Sequence, residues 1–173
     1  MYKKLFDDGL QSNKAVHIKN AIDISIAWDH FIDNVNVSVK EISDQPDKPE
    51  VKMGKIGNVR FYDRTTMVID YASKYPYPQM DQITKMINDS GLDIITMMSI
   101  ISFTDSESTT GRHFDPYSVV YVQCIGSVRW SIWDDDIQND YVLNAGDIIF
   151  VPSKKMHEIK SLSPRTAFSF IVQ

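Results

Sequence analysis

From Asp93 to Gln173 the chain breaks into eight short β-patterned segments separated by turn residues, and this crowding limits the available folds more than any other feature. The segments run Asp93–Phe103, Thr110–Asp115, Ser118–Cys124, Val128–Trp133, Asp140–Leu143, Asp147–Val151, His157–Ser161 and Arg165–Val172. Turns are marked by Gly126, Asp134-Asp135-Asp136, Asn144-Ala145-Gly146 and Ser163-Pro164. Short antiparallel strands in this number, with helices only upstream, predict two facing sheets rolled into a barrel.

The upstream half has mixed patterning. Lys14 to Ile22 reads as a short strand, and Ser25 to Val35 as an amphipathic helix with Trp28, Phe31, Ile32 and Val35 at i, i+3, i+4, i+7. Glu41 to Lys55, with Pro46, Pro49 and Gly54, reads as a polar loop able to act as a lid. Asn58–Tyr62 and Thr65–Ala72 follow as strands around Asp63-Arg64. Pro78–Asn88 returns to helical spacing through Met80, Ile83, Met86 and Ile87, and Gly91 stops it. The expected architecture is mainly β: a double-stranded β-helix (cupin or jelly roll) with N-terminal helices packed on one face. A chain of 173 residues is expected to form one domain, with 1–92 flanking a core at 93–173, and to bury roughly 70% of its unfolded surface.

His113-Phe114-Asp115 supplies the chemistry. Side chains alternate along an extended strand, so His113 and Asp115 share a face. His157 completes a set of two imidazoles and one carboxylate, the donor set with which non-heme Fe(II) centres leave open positions for cosubstrate and O₂. Neither His17 nor His30 joins the set: one alternates with Val16 and Ile18, the other lies beside Asp29 in the helix. The acidic triplet at Asp134 reads as a hairpin tip rather than a calcium loop, because its carboxylates are consecutive. Cys124, the one cysteine, reads as a buried apolar residue and leaves no disulfide framework or thiolate cluster.

Charge and hydropathy narrow the class further. A net charge of -5 with interspersed signs argues against a nucleic-acid surface. No apolar stretch reaches transmembrane length, and the N-terminus lacks the apolar core of a signal peptide. A soluble, cytoplasmic protein without a membrane partner is expected.

Gly146 to His157 has the spacing G-x5-P-x4-H, which resembles the second cupin motif, with Lys154 where many cupins have glycine. Gly111 to Trp130, GRHFDPYSVVYVQCIGSVRW, resembles the HxD strand and following hairpin of JmjC-type oxygenases, in particular the ribosomal-oxygenase and asparaginyl-hydroxylase branch. The resemblance covers residues 93 to 173, about half the chain. It implies an Fe(II)- and 2-oxoglutarate-dependent dioxygenase with His113, Asp115 and His157 as iron ligands. It also implies hydroxylation of a peptide or small-molecule substrate, with succinate and CO₂ as coproducts.

In that branch the far carboxylate of 2-oxoglutarate is held by a base at the position matching Val128, and valine cannot serve. Arg129 is adjacent, but alternation turns it away from Val128, Trp130 and Ile132 unless the register slips at Gly126-Ser127. Arg165 resembles the prolyl-hydroxylase arginine on the eighth strand and is the leading anchor. Thr110 matches a position where similar enzymes place a hydroxyl against the same carboxylate. Arg112 and Tyr117 are expected at the substrate rim. The missing base on the fourth strand keeps open a cupin that binds a metal or small ligand without oxidative chemistry.

Overall fold

The structure, a computed structural model, describes residues 2–43, 55–56, 59–62, 66–70, 77–104 and 111–173. Helix α1 (Tyr2–Ser12), strand β1 (Val16–Ile18) and helix α2 (Trp28–Ser43) come first. Then follow β2 (Lys55–Ile56), β3 (Val59–Tyr62), β4 (Thr66–Asp70) and α3 (Met80–Asp89). The second half holds β5 (Ile94–Ser102), β6 (Ser118–Ile125), β7 (Ser127–Asp134), β8 (Ile137–Asn144), β9 (Ile148–Val151), β10 (Met156–Ser161) and β11 (Arg165–Val172).

The strands form a large sheet in the order β1-β9-β6-β11-β5-β4-β3-β2 and a small sheet in the order β10-β7-β8. All pairings are antiparallel. From β6 to β11 the chain crosses between the sheets at every connection except the β7–β8 hairpin, which is the winding of a double-stranded β-helix, and the mainly β expectation holds. Helices pack on one face of the large sheet, where Phe6, Phe31, Ile83 and Ile87 are fully buried with Phe168 and Phe170 of β11. A second cluster fills the space between the sheets: Val119 and Tyr121 from β6, Val128, Trp130 and Ile132 from β7, Ile159 and Ala167. The strict alternation of β11 thus separates an aromatic face under the helices from a small-residue face inside the barrel.

Several expected boundaries move. The strand foreseen over Lys14–Ile22 is confined to Val16–Ile18, because Ala21 and Ile22 donate their backbone N–H groups to the Gly146 carbonyl instead. Gly146 has φ +89° and a Cβ there would lie 2.5 Å from the Ile22 carbonyl oxygen, so both the turn and the close approach require glycine. Helix α1 fell under no pattern noted in the sequence, although Phe6 and Gly9 are buried. Helix α2 runs to Ser43, past the expected loop start at Glu41, and residues 44–54 of that loop lie outside the described residues. Ile32, expected on the buried face of α2, is 47% exposed, and Asn34 takes the inner place with a 2.5 Å hydrogen bond to the Tyr77 hydroxyl.

The foreseen strand Thr110–Asp115 is also shorter than expected. Its described part pairs through one bridge, His113 with His157. That bridge makes the segment a rudimentary fourth member of the small sheet, beside β10.

Candidate metal centre

His113 and His157 exchange backbone hydrogen bonds of 2.9 and 2.7 Å, which holds the two imidazoles on the same inner face. Their ring centroids lie 4.4 Å apart. Asp115 follows on the same face, and its Oδ2 lies 3.7 Å from His157 Nε2. One ligand atom from each of the three residues falls within 4.8 Å of the others, a spacing that one ion can bridge. The peptide N–H of Lys154 donates to the Asp115 carbonyl at 2.7 Å and ties the loop of one ligand to the turn before the next.

Each histidine has its tautomer set by a carbonyl. His113 Nδ1 lies 2.8 Å from the Gly111 oxygen and His157 Nδ1 lies 2.9 Å from the Lys155 oxygen. A carbonyl only accepts, so both Nδ1 atoms carry the proton and both Nε2 lone pairs are left for a metal. Burial holds the His157 pKa below its usual value, with His113 adding to the lowering, against the raising effects of the Lys155 carbonyl and Asp115. The neutral imidazole that ligation needs is therefore the favoured form. The Trp130 ring stacks on His157 at 5.2 Å and 27°.

The triad opens on a cavity of about 300 Å³ between the two sheets, lined also by Val119, Tyr121, Trp130, Ile159 and Ser169. Arg165, which contacts the wall residue Tyr121 without itself lining the cavity, is 3% exposed. Its Nε donates to Ser161 Oγ at 2.7 Å and its Nη1 donates to the Tyr121 hydroxyl. The Tyr121 hydroxyl in turn donates to Gln123 Oε1 at 3.1 Å. Burial, partly offset by Arg165, pushes the Tyr121 pKa up to about 12, so the phenol stays neutral. Among the described residues no carboxylate pairs with Arg165. A buried guanidinium held only by neutral oxygens is a charge lacking its counter-ion, a costly arrangement unless an anion enters.

The other candidates fall elsewhere. Val128 is fully buried against Ser161, its partner across the sheet, while Arg129 pairs with Lys160 and Val142 on the outer face. The register slip that would bring Arg129 inside does not occur. At Gly126, φ +73°, a Cβ would meet the Pro164 oxygen at 2.1 Å, so this turn is seated tightly on the β10–β11 connection. Arg112 departs from the rim position expected of it: it sits 4.2 Å from the Trp133 ring centroid, on the outer side of the small sheet. Alternation accounts for this, because a residue next to inward His113 points outward. Tyr117 lines the cavity, and Thr110 lies outside the described residues. Tyr121 and Ser161, which hold Arg165, were not singled out in the sequence. For Tyr121 the signal is a polar group at an inward position of a largely apolar strand, and for Ser161 its place on the same face as His157 and Ile159.

No family model and no curated protein matches the sequence. Solved structures do. YcfD, a ribosomal oxygenase from Escherichia coli in complex with cobalt and 2-oxoglutarate, matches with a TM-score of 0.67 at 17% identity, over 97% of this chain and 51% of that one. An oxidoreductase of the 2OG-Fe(II) oxygenase family from Burkholderia pseudomallei matches at 0.60 and 12%, over 99% of this chain and 89% of that one. The chain thus spans about half the length of the YcfD chain. With the winding of the strands, these likenesses show that the chain shares the double-stranded β-helix fold of those two proteins.

Proposed function

We propose that the protein is an Fe(II)- and 2-oxoglutarate-dependent oxygenase that hydroxylates a C–H bond of its substrate. The observation that carries this reading is a three-ligand centre on a cavity whose wall residue Tyr121 accepts a hydrogen bond from a buried guanidinium with no carboxylate partner among the described residues. Along β10, His157 and Ser161 are four residues apart, about 13 Å at strand rise, and the Arg165 side chain reaches back toward the metal as far as Tyr121. A linear dicarboxylate that chelates at one end and is charged at the other fits that axis. The metal with 2-oxoglutarate supplies the oxidising chemistry, with succinate and CO₂ as coproducts.

The chain's own residues do the rest. His113, Asp115 and His157 would hold the metal through two imidazoles and one carboxylate, a donor set that suits Fe(II). Arg165 pairs with the far carboxylate, with Ser161 and Tyr121 fixing its planar fork in place. Apolar walls from Val119, Ile159 and Trp130 exclude water. A cupin that binds metal without oxidative chemistry accounts for the triad and for Val128, but it leaves the Arg165 charge unmatched.

Anaerobic addition of Fe(II) and 2-oxoglutarate should give the weak visible charge-transfer band of the chelate, and oxygen should then yield slow succinate even without substrate. His113→Ala and Asp115→Ala should lose bound metal. A band that never forms, with no measurable affinity for 2-oxoglutarate, favours the non-oxidative cupin.

A further inference from the structure

The cavity is walled mostly by apolar side chains. Tyr121, whose hydroxyl accepts from the Arg165 guanidinium behind it, and Ser169 are polar members of the wall. Past the metal ligands the walls are Val68, Met98, Ile100 and Ile171 from the large sheet, with Pro116 and Tyr117 from the loop after Asp115. Among the described residues, two charged side chains close in sequence to the ligands are turned elsewhere: the Arg112 guanidinium lies over Trp133, and Lys155 pairs with Asp134. Among the described lining residues, the sole charge-bearing side chains besides the two histidines is Asp115, and all three belong to the metal centre.

A carboxylate, ammonium or guanidinium brought here would lose water and find no partner beyond the metal ligands among the described lining residues, whereas an aliphatic or aromatic group would exchange water for apolar wall. The lip has the same character. Of the residues that line the cavity, Pro116 and Tyr117 are exposed beside the metal ligands, Tyr117 by 49%. Apolar surface gathered next to a cavity mouth marks a contact region.

Resting on the oxygenase reading, we propose that the group presented to the metal is uncharged and apolar, an aliphatic or aromatic group, with Met98, Ile171 and Tyr117 setting that specificity. Such a group is carried either by a peptide side chain or by a free small molecule.

The test loads the 173-residue chain with Co(II) and 2-oxoglutarate and measures binding of N-acetyl amides of leucine, phenylalanine, arginine and glutamate by ligand-observed NMR. 4-Methylpentanamide serves as a free molecule of leucine-like character. The leucine and phenylalanine amides should bind at least tenfold more tightly than the charged pair. An advantage of leucine amide over 4-methylpentanamide identifies the peptide source, and the reverse identifies a free molecule. Ile171→Lys, and independently Met98→Lys, should shift preference to the glutamate amide while 2-oxoglutarate stays bound. The inference is overturned if arginine or glutamate amide matches leucine amide, if no amide binds, or if both lysine variants leave the order unchanged. Loss of 2-oxoglutarate binding in the unsubstituted chain would instead overturn the oxygenase reading, and the amide preference would still be readable with Co(II) alone.

Discussion

In the proposed reading, Arg165 is the anchor of the cosubstrate. A charge-assisted, bidentate pair in a desolvated pocket is worth about 2–5 kcal/mol, roughly 30-fold to several-thousand-fold in affinity. Arg165→Met should therefore remove most 2-oxoglutarate affinity with metal retained, and Arg129→Met should change it little; calorimetric titration of both variants checks this. A reversed result would mean that the guanidinium seen beside Tyr121 is structural. Lys154 makes a different demand. It has φ +62°, a left-handed conformation that costs a side chain about 1–2 kcal/mol, against the greater freedom glycine gains on unfolding. Lys154→Gly should raise stability by about 0.5–1 kcal/mol in urea unfolding. The need for a positive φ before His157 also explains in backbone terms why the motif that this stretch resembles favours glycine. His113, Asp115 and His157 were legible in the sequence because period-two alternation and a motif spacing both point to them. Tyr121 and Ser161 were not, because their part is read only against Arg165, which lies 44 residues from the first of them.

At the scale of elements, the register of β7 decides which side chains face the cavity. The pairs Ser161 with Val128 and Leu143 with Val128 set Val128 inward and Arg129 outward, and the Gly126 turn leaves no room for a slip. The sequence left this register open, since Arg129 and Val128 suit either face on composition alone. Val128 lies opposite Ser161, the residue that holds Arg165 Nε. A base placed on β7 should therefore substitute for one on β11. In an Arg165→Met background, Val128→Lys should restore 2-oxoglutarate binding to within about tenfold of the unsubstituted chain, an allowance of about 1.4 kcal/mol. Calorimetry on the single and double variants measures it, and no recovery would show that the two strands do not address the same carboxylate. The strands of the second half were readable from alternation and turn residues. Helix α1 and the end of α2 were harder, because their buried positions depend on packing against a sheet formed by residues far along the chain.

For the whole molecule, the metal centre couples stability to pH. His157 has a folded pKa below its ordinary 6.5, chiefly from burial. The native metal-free protein then binds fewer protons than the unfolded chain in that range. The contribution is present above the ordinary value and is lost as pH falls through the folded one. Urea midpoints of the metal-free protein should fall as pH drops from about 7 to 5, more steeply than in His157→Gln. Equal slopes would mean that His157 titrates normally. No helix among the described residues is long and apolar enough to cross a membrane.

The single bridge between His113 and His157 also shapes how the protein is made and lost. Its two residues are separated by 157 − 113 = 44 positions, so this part of the centre exists only after a long loop has closed and β10 has docked on β7. An ion arriving earlier meets scattered ligands; one arriving later fastens two strands of chain together like a clasp. Metal should therefore leave the rate of folding almost untouched and retard unfolding, turning a modest equilibrium gain into a longer lifetime for the loaded protein.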